Sequence, residues 1–227
     1  MLDGLDLIES RKIDWQNKPI AIIYNPVSGK SRNIRPMIEH RLSEAKIPFE
    51  FLATKTYFDP FMFAYTLDMD KYSALVASGG DGTCHEVVSG MLMREDKRTL
   101  PMSFFPNGSG DDFCSSMGIY SVDHALDYII SARTIQIDTV KVLLDTDSEE
   151  SLPKGAENIR QKASKMRYMN INAAISMPAK INAGAQPYKG CCGKNSYVIS
   201  TLIEACKGNF IRDIFEIDID GTVLDIE

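Results

Sequence analysis

The sequence has little that would mark a membrane-spanning or nucleic-acid-binding chain. No apolar run approaches the roughly 18 residues of a spanning helix. Its 227 residues carry 25 Lys and Arg against 31 Asp and Glu, a net charge of −6. The basic footprint of a nucleic-acid binder is therefore missing. The five cysteines are an odd number without C-x-x-C spacing, which points to reduced thiols inside a cell rather than a disulfide framework. Cys191–Cys192 is their only cluster, and no set of further metal ligands accompanies it. The N-terminal stretch "MLDGLDLIESRKIDWQNK" is too acidic for a signal or transit peptide, and internal repeats are lacking. These absences lead to the expectation of an intracellular protein, cytoplasmic or peripheral on an organelle membrane.

A further absence is more specific. Tyr24–Ser31 reads "YNPVSGKS" and ends in the Gly-Lys-Ser of a Walker A loop, but the glycine required five positions before Gly29 is Tyr24. A phosphate site, if there is one, has to be built differently.

What is present is a strand–helix alternation. At 44% hydrophobic and 25% charged, the chain can bury a core. Short apolar runs at Ile20–Asn25, Pro48–Thr54, Ser73–Ser78 and Met102–Pro106 read as strands. Between them, helical spacing recurs at Ile34, Met37, Ile38, Leu42 and Ala45, over Asp59–Leu67, and at Val87, Val88, Met91 and Leu92. Asn33 is the expected cap of the first helix, with Pro36 in its first turn, and Ser121 the expected cap of a later one carrying Ala125, Leu126, Ile129 and Ile130. The pattern implies an α/β fold whose mostly parallel sheet forms its site at the strand C-termini. An α/β domain is expected over residues 18–131. A β-rich second domain is expected over 132–227, with strands at Thr134–Leu144, Met166–Ile175 and Ile211–Ile219, a helix at Tyr197–Cys206 and a mobile loop at 145–165.

Three loops that follow strands suit a phosphate. In "SGGDGTCHE" (Ser78–Glu86), Gly79, Gly80 and Gly82 can take positive φ and let backbone N–H groups converge on an anion. Thr83 and Glu86 have capping-box spacing, so a helix dipole would point at the same anion. Asp81, an acid among these glycines, suits contact with a metal ion or acceptance of a proton. In "PNGSGDDF" (Pro106–Phe113), Gly108 and Gly110 follow a strand, and Ser109 with Asp112 repeats the cap spacing. The opening loop supplies Asn25, Ser28 and Gly29.

These motifs resemble the diacylglycerol kinase catalytic-domain superfamily, which includes bacterial and eukaryotic lipid kinases and sphingosine kinases. "NPVSG" is similar to its N-P-x-S-G element, "GGDGTCHEVVSGML" to G-G-D-G-T-x-x-E-V-x-N-G-L, and "PNGSGDDF" to P-x-G-T-G-N-D-F. "FEFLATKT" matches a segment whose Thr54 position contacts nucleotide in the family, and Asp138 falls at the acid of its I-D strand, on the substrate side. The resemblance runs from about Ile20 onward and is closest through Val140. It implies an ATP-dependent lipid kinase: ATP and Mg²⁺ across the three loops, Asp81 as the catalytic base or a metal-linked carboxylate, and a lipid hydroxyl at a membrane surface as acceptor, in a cleft between two domains. Lys30 is not needed as a Walker lysine. Lys30, Arg32 and Arg35 would be solvated or would help hold phosphate or an anionic surface.

The chain also departs from that pattern. Asp111 stands at the family's Asn, and Ser109 at its Thr. In "NAAISMPA" (Asn172–Ala179), Ser176 replaces a glycine and Pro178 an acid. The chain stops before the family's late glycine-rich strand and D-G segment, so an incomplete second domain is expected. The alternative reading is therefore a pseudokinase, an accessory subunit of a larger assembly; a third is an NAD kinase, which shares the G-G-D-G-T loop. The bland readings put His40, His85 and His124 in solvent, Met91, Met93 and Met102 in the core, and leave Phe58, Phe61 and Phe63 to a core or to lipid.

Overall fold

Ile20, Ala21, Ile22 and Ile23 are all fully buried, so the strand they form has no polar face and needs cover on both sides. This is β1 (Ile20–Tyr24) in a computed structural model that describes residues 13, 15, 18–26, 34–144, 148–170, 174, 177–193, 195–208, 215–219 and 222–226. The chain divides into two compact units, residues 1–171 and 172–227.

In the first unit, β1 is central to a parallel sheet with β2 (Phe49–Ala53), β3 (Ala74–Gly79) and β4 (Met102–Pro106), in the order β2-β1-β3-β4. Parallel pairing requires crossovers. They are made by α1 (Arg35–Glu44), α2 (Asp59–Thr66) and α3 (Asp81–Leu92). Because the order reverses between β1 and β3, the carboxyl ends of these neighbours open a crevice, the usual ligand position in such sheets. Pro36 sits in the first turn of α1, as its missing N–H allows.

The helices are fixed to one another by close contacts. Gly90 of α3 meets α2 so tightly that a β-carbon there would lie 2.3 Å from the Phe61 carbonyl oxygen. Arg94, just past α3, donates to the carbonyls of Ala64 (3.2 Å), Tyr65 (2.7 Å) and Leu67 (2.9 Å). It thereby satisfies the open carbonyl end of α2, while Asp96 holds its guanidinium at 2.6 Å. Phe61, Met91 and Met93 are core residues, and Phe58, Phe63 and Met102 pack partly buried against the same clusters.

Two further helices complete this layer, α4 (Asp112–Ser116) and α5 (Val122–Ser131). Ser121 caps α5 as expected, its Oγ accepting the His124 N–H at 3.1 Å. The expected strand over Thr134–Leu144 is regular only at β5 (Val140–Leu143), which pairs antiparallel with β6 (Met166–Met169). The stretch 145–165, expected as loop, carries α6 (Ile159–Lys165) among its described residues. Its inward face is only Ile159 and Ala163, one turn apart and both buried, too narrow a stripe to stand out among polar neighbours.

In the second unit, α7 (Met177–Ala185) packs on α9 (Asn195–Cys206), with the short α8 (Lys189–Cys192) between them in sequence. Ser200 of α9 donates to the Ile181 carbonyl at 2.8 Å. β7 (Phe215–Ile219) and β8 (Thr222–Ile226) form an antiparallel pair. The helix expected at Tyr197–Cys206 is α9. Pro178, which stands where the resemblance asks for an acid, occupies the first turn of α7. Among the described residues, no helix is long and apolar enough to cross a membrane.

Candidate active site

Backbone bonds continue the sheet one step past its strand ends. The Thr54 N–H donates to the Tyr24 carbonyl (3.0 Å), Asn25 to Ser78 (3.1 Å) and Asn107 to Gly79 (3.2 Å). The four carboxyl ends are thus stitched into one row, and the loops leave from it. Thr54 is buried, and its hydroxyl also turns to the Tyr24 carbonyl, at 3.4 Å. Ser28, Gly29, Lys30 and Arg32 of the opening loop, and the expected cap Asn33, lie outside the described residues.

The glycines of the second and third loops work by close approach rather than by positive φ. None of Gly79, Gly80, Gly82, Gly108 and Gly110 is among the positive-φ residues, so the positive φ open to Gly79, Gly80 and Gly82 is not used. A β-carbon on Gly108 would stand 2.4 Å from the Gly80 α-carbon, and one on Gly79 would stand 2.4 Å from Thr83 Oγ1. Both distances are below any real contact, so the two loops meet backbone to backbone. Gly82 is different: a β-carbon there meets nothing within 4 Å. Open space beside an exposed glycine in the first turn of a helix leaves the N-terminal amides approachable.

The two expected capping boxes are not formed. α3 begins at Asp81 with Gly80 as its N-cap, because Thr83 and Cys84 both donate to the Gly80 carbonyl, at 2.9 and 3.1 Å. Thr83 is therefore inside the helix and buried. Ser109 likewise caps nothing, since α4 starts at Asp112 behind Asp111, which holds a left-handed φ of 58°.

Capping is done across the loops instead. Asp81 Oδ1 accepts the Phe113 N–H at 3.0 Å and so supplies the start of α4 from the start of α3. Asp111 Oδ1 accepts the Gly108 N–H at 2.8 Å, folding its own loop. The added negative charge of Asp111 is thereby turned onto a backbone donor. Asp81 Oδ2 and Asp112 Oδ2 both border Gly110, at 2.8 and 3.3 Å from the point where its β-carbon would be. Two carboxylates thus flank the glycine loops.

Glu86 is fully buried further along α3. Its Oε1 accepts from Tyr57 Oη at 3.1 Å and lies 3.6 Å from Arg167 Nη2 on β6. Among the described residues, Glu86 Oε2 and Arg167 Nη1 have no hydrogen-bond partner. Sequence reasoning missed Tyr57, Arg167 and Asn170. No local pattern marks them, because each meets Glu86 or its surroundings only through the tertiary fold. His85, expected in solvent, is half-buried, and burial lowers its pKa below the ordinary value. Asp138 stands exposed two residues before β5, and no hydrogen bond or ion pair joins it to the loops among the described residues. The described residues hold no group of three or more His, Cys, Asp or Glu able to bind a metal by themselves.

The family model for the diacylglycerol kinase catalytic domain matches residues 19–142, more than half of the chain. The chain is 31% identical over 140 residues to sphingosine kinase 1 of Arabidopsis thaliana, covering 55% of this chain and 28% of that one. It is 32% identical over 128 residues to a diacylglycerol kinase of Staphylococcus aureus, covering 55% and 40%. A crystal structure of a diacylglycerol kinase from Bacillus anthracis is similar at 22% identity and a TM-score of 0.44, over 50% of this chain and 43% of that one. The chain thus spans less than half the length of the curated relatives it matches. Residues 19–142 hold β1 to β4 and both described glycine loops, and by that match the chain belongs to the diacylglycerol kinase catalytic-domain family.

Proposed function

We propose that the protein is an ATP-dependent lipid kinase that transfers the γ-phosphate to a lipid hydroxyl of diacylglycerol or sphingoid type. The observation that carries this reading is the backbone contact of Gly80 with Gly108 at neighbouring strand ends, with Asp81 at the seam. Phosphoryl transfer asks a protein chiefly for positioning and charge stabilisation. The amides that open α3, accessible beside Gly82, offer both to a triphosphate. Asn25 and Thr54 extend the binding surface along the stitched strand ends, with Ser28 and Gly29 assigned to the same surface by the resemblance.

Magnesium binds through one or two carboxylates, with phosphate oxygens and water completing its shell. Asp81 and Asp112, whose Oδ2 atoms both border Gly110, fit that need. They are the residues that would hold the ion, which would neutralise phosphate charge. Where Asp112 alone would hold the ion, Asp81 Oδ2 is left to accept the proton of the attacking hydroxyl, its Oδ1 being committed to Phe113. Asp138 is assigned to the acceptor side on the resemblance alone.

A second reading, a catalytically inactive relative serving in a larger assembly, draws on one observation. The position at which the resemblance expects an acid is Pro178, which here lies in the first turn of α7. The deciding experiment is transfer of labelled γ-phosphate from Mg-ATP to a mixed-lipid extract, comparing the wild type with Asp81→Asn. A labelled lipid made by the wild type and lost in the variant supports the kinase. No product from folded protein, while a control kinase works in the same extract, would sink it in favour of the second reading.

A further inference from the structure

At the other end of α3 from the glycine loops, a pocket of about 210 Å³ is lined by Lys97, Lys141, Lys154 and Lys162, with Glu149 as its one carboxylate. α3 has 12 residues, so its two ends are about 18 Å apart. The pocket shares no lining residue with the glycine loops, and it adjoins the Glu86 surroundings only through β6, where the Tyr168 N–H donates to Ser89 of α3. Its other lining includes Leu152 and Met166, both buried in the cluster that contains Phe61, Met93 and Ile159. The result is a cationic lining around an apolar base.

The charge balance is what calls for an explanation. In a chain of net charge −6, four lysines line one concavity. Lys141 pairs with Glu149. Lys97, Lys154 and Lys162 have no ion-pair partner among the described residues. Lys162 also sits in the last turn of its own helix α6, where the helix dipole favours a cation, which accounts for one lysine and not for the other three. Like charges gathered in a recess repel, and an anion bound there would relieve them.

We infer that this pocket binds a phosphomonoester carried on a small organic group. The multiple ammonium donors match a dianion, and the apolar base matches the carbon atoms beside it. The volume lies below the roughly 300–1,000 Å³ of pockets for drug-sized ligands, which suits a headgroup and not a nucleotide. The inference does not depend on the kinase reading. The phosphate can come from a soluble metabolite or from a lipid headgroup, and the test separates the two.

The test is lysine acylation footprinting of the full chain with limiting reagent, read residue by residue by mass spectrometry. Glycerol 3-phosphate is compared with sodium chloride at matched ionic strength, and phosphatidylcholine vesicles with and without phosphatidate form the second arm. Labelling of Lys97, Lys154 and Lys162 is expected to fall about fivefold, while exposed Lys46 is unchanged. Protection by glycerol 3-phosphate supports the site with a soluble ligand; protection by phosphatidate vesicles alone supports it with a lipid headgroup. The surface charge swaps Lys154→Glu and Lys162→Glu, combined, should weaken binding on the order of tenfold with folding intact by circular dichroism. No protection in either arm, protection equal to that of Lys46, or undiminished binding by the double variant overturns the inference.

Discussion

Gly80 and Gly108 touch through their backbones: a single methyl on Gly108 would come within 2.4 Å of the Gly80 α-carbon. Two loops that reach the same sheet edge from different strands are thus held at a spacing only glycine permits. Gly82, two residues on, has no such constraint in the folded chain.

That contrast separates stability from binding. Gly108→Ala is expected to destabilise by about 2 kcal/mol, since the contact is with backbone and cannot yield locally. Gly82→Ala is expected to leave stability unchanged or raised by about 0.5 kcal/mol, through its better helix propensity, while sharply weakening ATP binding. Urea denaturation and calorimetric nucleotide titration check the pair. Wild-type nucleotide affinity in Gly82→Ala would remove this glycine from the site.

Asp81 carries a structural duty that its substitutions can divide from its chemical one. Asp81→Asn keeps an acceptor for the Phe113 N–H and is expected to change stability by less than about 0.5 kcal/mol. Asp81→Ala loses that acceptor and should cost about 1 kcal/mol, as a lost helix cap does. Both should abolish phosphoryl transfer. If the two variants unfold at the same urea concentration, the Asp81–Phe113 bond contributes nothing measurable.

Arg94 closes the carbonyl end of α2 with three hydrogen bonds and is almost fully buried. Arg94→Ala is expected to cost about 2–3 kcal/mol, because the carbonyls it served stay buried. Hydrogen exchange should localise the loosening to the last turn of α2. Loosening spread evenly over the first unit would argue for a general packing loss instead.

His85 gives an acid-side dependence. Burial, the largest cause, lowers its pKa from the ordinary 6.5, so below that value the unfolded chain binds the extra proton more readily. Its contribution to stability is complete above 6.5 and is lost as pH falls toward the folded value. Replacement by glutamine should flatten the fall in denaturation midpoint as pH drops below 6.5. An unchanged slope would place the acid sensitivity in other groups.

The strands and the glycine loops were legible because their signals are local. β1 and β3 are short apolar runs ended by Asn25 and Gly80, and period and punctuation identify such elements directly. The caps were misread for a physical reason. A T-x-x-E pattern looks the same whether Thr83 is an N-cap or lies one turn inside the helix, and the choice was made by the Gly80 carbonyl accepting two amides. The partners of Glu86 were illegible because Arg167 lies on β6, far along the chain. α6 escaped notice because two buried residues are all that its inward face contains.

The stitched strand ends have a kinetic consequence. The amides of Asn25, Thr54 and Asn107 are each tied to a neighbouring strand, so they should exchange with solvent deuterium as slowly as sheet amides do. Protection would then extend to the residue from which each loop departs. A ligand that orders the loops would move this border outward, and the length of newly protected chain would record how much of each loop it had gripped.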